Sequence, residues 1–149
     1  MAASAGDILR AAGVPRETDE VAGLGTIVLV EPDDIVAALT ALKAEGYDQL
    51  VDLFGTDRDD VIEVTYHVRV LSEMHDEFLR SEVAYDGVLA SVWQLYPAAL
   101  YPERETAELL GLTLVGHPNP KRLLTTEGVP PLLRRDETPR DAEEVRYTP

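Results

Sequence analysis

The sequence predicts an α+β fold: a two-layer domain with a mixed, partly antiparallel sheet packed by helices, plus an extended C-terminal tail. Three observations carry this. The first half alternates helix-like segments with short apolar runs. Residues 61–71 alternate apolar and polar side chains and lead through a turn into a second strand-like segment. Beyond Gly116 the prolines Pro118, Pro120, Pro130, Pro131, Pro139 and Pro149 deny the backbone a continuous ladder. The chain is therefore expected to divide into a layered domain over residues 1–116 and a proline-rich tail over residues 117–149.

The elements follow in order. Ser4 precedes a helix over residues 5–12, where Ile8, Leu9 and Ala12 recur at helical spacing and Gly13 and Pro15 supply the stop. Gly23-Leu24-Gly25 precedes a strand instead of following one, so it reads as a linker and not as a dinucleotide-binding turn. Residues 26–30 (TIVLV) are too few for a helix and read as a buried strand. Pro32 suits a first helical turn, Asp33 and Asp34 favour the positive end of the dipole, and Ile35, Val36, Leu39 and Leu42 repeat at three and four until Gly46. Residues 49–54 (QLVDLF) read as a strand and residues 55–60 (GTDRDD) as a loop.

In residues 61–71, Ile62, Val64, Tyr66, Val68 and Val70 make one apolar face, and a turn at 72–76 joins them to a partner strand over 77–85. Ser91 suits the N-cap of a helix starting at Val92. A last helix over 102–110 is marked by Pro102 at its start, Glu103 and Glu105 in its first turn, Arg104 four residues before Glu108, and Gly111 after its end.

Composition narrows the functions. With 149 residues, 45% of them hydrophobic, one core is expected. The absence of cysteine excludes disulfides, thiolate zinc and cysteine-held iron–sulfur clusters from this chain. A net charge of -15 repels phosphate backbones and anionic lipid surfaces, so nucleic-acid binding and membrane insertion are not expected. Residues 1–7 lack the basic and apolar stretches of a signal peptide, and the chain reads as soluble. Within the acidic whole, residues 117–135 hold Lys121, Arg122, Arg134 and Arg135 against Glu127 alone.

No motif points to chemistry of the chain's own. His67, His75 and His117 lack metal-site spacing, and Asp57-Arg58-Asp59-Asp60 lacks the glycine and closing glutamate of a calcium loop. No Gly-x-Ser-x-Gly turn is present. Glu103, Glu105 and Glu108 offer paired carboxylates for acid–base work, against the simpler reading of a helix start in which Arg104 neutralises Glu108 on an exposed face.

Residues 91–136 resemble the C-terminal half of the C subunit of bacterial NADH:quinone oxidoreductase, respiratory complex I. The resemblance is carried by Glu103-Arg104-Glu105, Glu108, Leu109-Leu110, Gly111, Gly116-His117-Pro118, Lys121-Arg122 and Leu123-Leu124. Val51-Asp52-Leu53 and Tyr66-His67 extend it upstream. The family usually has aspartate at Glu108 and an aromatic at Ala107, and its closing segment is one residue shorter than Pro131 to Asp136.

The resemblance implies a non-catalytic scaffold subunit of the peripheral arm, supporting electron transfer from NADH to quinone by docking the quinone-site and iron–sulfur subunits on the cytoplasmic side of the cell membrane. It implies no catalytic, cofactor-binding or metal residue in this chain; NADH, flavin, iron–sulfur clusters and quinone belong to the assembled complex. The partner interface would comprise Glu103, Arg104, Glu105, His117, Pro118, Lys121, Arg122, Arg134, Arg135 and Asp136. Arginine forks suit carboxylates, and in the domain alone these charges would be exposed. Two alternatives remain: the equivalent subunit of an energy-converting hydrogenase or formate hydrogenlyase, and a free-standing acidic protein-binding module.

Overall fold

A computed structural model describes residues 1–137. Residues 138–149, with Pro139, Pro149 and the end of the expected tail, lie outside the described residues. The chain opens with α1 (Ala5–Ala11), capped by the Ser4 hydroxyl, which accepts from the Asp7 amide. Next come β1 (Glu17–Val21), β2 (Gly25–Leu29), a 3-10 turn (Pro32–Asp34) and α2 (Ile35–Ala44). The long strands follow: β3 (Gln49–Asp57), β4 (Val61–Val70) and β5 (His75–Ala84). After them come β6 (Val88–Ala90), a 3-10 turn (Pro97–Ala99), α3 (Leu100–Leu110) and β7 (Thr113–Val115).

Five strands form a mixed sheet in the order β1-β2-β5-β4-β3. It is parallel only where β2 meets β5, since the intervening helix and strands give that pair the long connection a parallel pairing needs. Strands β6 and β7 make a separate parallel pair bridged by α3. On β4 the expected alternation holds: Ile62, Val64, Tyr66 and Val68 are fully buried. They share one core with Leu9 of α1, Leu39 and Leu42 of α2, and Leu110 of α3. Helices α1, α2 and α3 thus cover one face of the sheet, which makes two layers. Gly55 in β3 permits this closeness, because a Cβ there would overlap Leu110 Cδ1 and sit 2.9 Å from Thr106 Cγ2. The opposite face carries Glu63, Thr65, His67 and Arg69. There Arg69 forks onto Asp76 at 2.5 and 2.9 Å, and His67 stacks on Phe78.

Several elements differ from the sequence reading. Glu17 to Val21 is a strand, and Gly23 and Leu24 belong to the hairpin turn that joins it to Gly25 of β2 instead of to a linker, with the Leu24 amide donating to the Val21 carbonyl. Pairing of backbone, not apolar side chains, holds this edge strand, so the polar ETDEV segment carries no hydrophobic period to announce it. Strand β3 runs on to Asp57, which reduces the following loop to residues 58–60. After Ser91 there is one hydrogen-bonded turn in place of a helix. Pro97 lacks the amide hydrogen that would continue it. Residues 117–137 hold neither helix nor strand, as the prolines predict, yet they fold back along α3.

Candidate functional site

The site is built on α3 and the strap that follows β7, residues 117–137. Helix geometry sorts the α3 side chains: Glu103, Ala107 and Leu110 point inward, whereas Arg104 and Glu108, one turn apart, both reach the strap. Arg104 donates from Nε to the Lys121 carbonyl at 2.7 Å and from Nη2 to the Arg122 carbonyl at 2.8 Å. Glu108 accepts from the amides of Leu123 (2.8 Å), Leu124 (3.0 Å) and Thr125 (2.6 Å), and from the Thr125 hydroxyl. Burial raises the Glu108 pKa, but these donors outweigh it and hold the carboxyl at about 2. The expected Arg104–Glu108 pair on an exposed face is therefore absent: each side chain finds unpaired strap backbone instead, and Glu108 has only 3% of its side chain exposed. Arg122 in turn donates to Thr125 Oγ1 and to the Val129 carbonyl.

Beneath this clamp Glu103 is fully buried. Its Oε2 accepts from Ser91 Oγ at 2.5 Å and its Oε1 from the Val92 amide at 2.6 Å, fastening α3 to the segment after β6. Burial pushes the Glu103 carboxyl up, opposed by those two hydrogen bonds and the nearby His117. His117 accepts the Asn119 amide at Nδ1 and donates from Nε2 to the Leu100 carbonyl, which fixes the proton on Nε2. Glu105 and Pro118 are exposed. The three carboxylates of α3 thus diverge into core, strap and solvent, and they do not converge on a common point where acid–base chemistry would need them.

The strap is fastened again at its end. Arg134, expected as an exposed charge, is 8% exposed. It lies over the Tyr85 ring at 4.2 Å, donates to Asp86 at 2.7 Å and forks onto Asp136. The Arg135 amide donates to Asp57 Oδ2 at 2.7 Å, and its guanidinium pairs with the exposed Asp59. The Tyr85 hydroxyl donates to the other oxygen of Asp57. Burial raises the Asp57 pKa, but Tyr85 and the Arg135 and Asp59 amides leave it below the ordinary value. Gly111 closes α3 with φ of 73°, and a Cβ there would lie 2.8 Å from Pro131 and 2.9 Å from Arg134. Asp57, Tyr85 and Asp86 do not announce this role in the sequence, since their partners on the strap lie 48 to 78 residues away.

Among the described residues no group of three or more histidine, aspartate or glutamate side chains is arranged to hold a metal ion. No helix among them is long and apolar enough to cross a membrane.

The model of one protein family, respiratory-chain NADH dehydrogenase, 30 Kd subunit, matches residues 28–143. The chain belongs to this family. Among its relatives, the NADH-quinone oxidoreductase C subunit of Methylobacterium sp. (strain 4-46) is 38% identical over 131 residues, covering 80% of this chain and 59% of that protein. Its counterpart from Methylobacterium radiotolerans is 36% identical over 159 aligned positions, covering 99% of this chain and 72% of the relative. The chain thus spans about three-fifths to three-quarters of these curated relatives. Among solved structures, the trypsin-resistant fragment (1-134) of Nqo5 superposes with a TM-score of 0.62 at 27% identity, covering 76% of this chain and 94% of the fragment. The 30 Kd subunit family match takes in α3, the clamp and the strap, where the residues from Glu103 to Leu124 that carried the resemblance in sequence lie.

Proposed function

We propose that this chain is a non-catalytic scaffold subunit of the peripheral arm of a proton-translocating NADH:quinone oxidoreductase. It supports electron transfer from NADH to quinone by docking the quinone-site and iron–sulfur subunits on the cytoplasmic side of the membrane, while flavin, iron–sulfur clusters and quinone sit in its partners. The observation that carries this reading is the strap. Its backbone is held in place by side chains of the domain, yet Leu124, Leu132 and Leu133 stand 57 to 62% exposed along it. An irregular segment fixed in position with its leucines outward is suited to contact with another protein.

The test is purification of the native assembly through a tag on this chain. Recovery with flavin and iron–sulfur subunits and with NADH:quinone reductase activity is the expected result. Recovery with a nickel–iron subunit would move the chain to a hydrogenase-type complex, and recovery alone would make it a free-standing module.

A further inference from the structure

We propose that the cavity between α3, β7 and the strap receives an acidic side chain, aspartate or glutamate, from a partner polypeptide. This contact presupposes the scaffold role above and adds the chemistry of one of its interfaces. The cavity measures about 240 Å³, the size of a side chain and not of a nucleotide. Arg104, Lys121 and Arg122 line it, over an apolar floor of Ala107, Leu112 and Leu114.

The charges there do not cancel. Glu108 is the one anion of the lining among the described residues, both its oxygens are already engaged by the strap, and it pairs with Arg122 alone of the three cations, at 3.9 Å. Arg104 has committed Nε and Nη2 to carbonyls, which leaves Nη1 without a hydrogen-bond partner among the described residues. Lys121 is exposed and has no ion-pair partner among them. Two cationic groups with open donors thus face a small cavity on a molecule of net charge -15. A forked carboxylate matches such donors, and its methylene stem matches the floor. An extended polyanion would be repelled by the surrounding acidic surface, whereas a single carboxylate is short enough to meet only the local positive field. Leu124, three residues from Lys121 and 62% exposed, favours a carboxylate borne by a protein surface over a free one.

The composition makes this contact readable. The chain has two lysines, and Lys43 is occupied, donating to the Leu95 carbonyl and lying 4.7 Å from the centre of the Tyr96 ring. Lysine acetylation of the full chain, alone and in the purified complex, therefore reports on Lys121. Assembly should lower Lys121 acetylation roughly tenfold, as closure of a specific contact would. Zero-length carbodiimide coupling of the complex should join Lys121 to an aspartate or glutamate of another polypeptide, and Lys121→Arg should abolish that species without releasing the chain. Lys121 as reactive in the complex as in the free chain, or coupled only within its own chain, overturns the proposal while leaving the scaffold role intact. Protection of the free chain by millimolar succinate would assign the cavity to a soluble carboxylate and overturn it as well. A chain that does not co-purify at all fails at the scaffold role instead.

Discussion

Strand β4 buries Ile62, Val64, Tyr66 and Val68 completely, whereas the strap leaves Leu124, Leu132 and Leu133 more than half exposed. Both segments have a defined path, and they reach it by different means. The strand is fixed by apolar burial on one face and by ladders to β3 and β5 on its edges. The strap is fixed by charged side chains that bind its backbone: Arg104 takes two carbonyls, Glu108 takes three amides, and Asp57 takes one more. Three consecutive amides around one carboxylate form the kind of anion nest usually found at helix starts. Such bonds satisfy backbone groups that would otherwise need water, and they position the segment without burying its leucines. The difference teaches that order and stability are separable here, with stability seated in the sheet and order in the strap donated by charged side chains of α3 and β3.

The sharpest way to break this contrast is Leu79→Ala. It removes a fully buried side chain from β5 and should cost about 2 to 5 kcal/mol in urea unfolding of the whole domain. Glu103→Ala comes next, because it strands the Ser91 hydroxyl and the buried Val92 amide, each costing about 1 to 3 kcal/mol by the same measurement. Glu103→Gln, which keeps an acceptor for the Val92 amide, should lose less.

Gly111→Ala ranks third. Its left-handed conformation alone should cost about 1 to 2 kcal/mol, and the contact with Pro131 should also displace the strap, seen as faster amide exchange at Leu133. Glu108→Ala should have the smallest global effect. It should leave the unfolding midpoint of the sheet nearly unchanged while sharply raising amide exchange at Leu123, Leu124 and Thr125. A large loss of global stability in this variant would collapse the distinction between the two regions.

Acid sharpens the same point. The Glu108 carboxyl is depressed from an ordinary value of 4.5 to about 2, so its hold on the strap is fully present above the ordinary value. Protection of the three amides should therefore persist at pH 5 and be lost as the pH falls from 4.5 toward 2, as followed by exchange-detected NMR.

Local patterns made much of the fold legible. The period-2 alternation of residues 61–71 marked β4 and its buried face, and the glutamate-rich start with Gly111 at the end marked α3. The prolines past Gly116 announced a segment without regular structure. The ordered set from Glu103 to Leu124 pointed to the family that the 30 Kd subunit match shows. What was illegible shares one physical cause: it depends on the partner a segment meets and not on the segment's own side-chain period. Residues 17–21 became a strand because β2 offered them a backbone edge.

By itself, the sequence determined the apolar face of the sheet, the end of α3 at Gly111 and the irregular path after Gly116, since side-chain period and glycine and proline chemistry act within a few residues. Only the tertiary structure decided what the charges do. Glu103 goes into the core, Arg104 and Glu108 grip the strap instead of each other, and Arg134 lies buried between Tyr85, Asp86 and Asp136. A charged side chain takes the best donor or acceptor within reach, and that reach is set by how helix, sheet and strap are brought together.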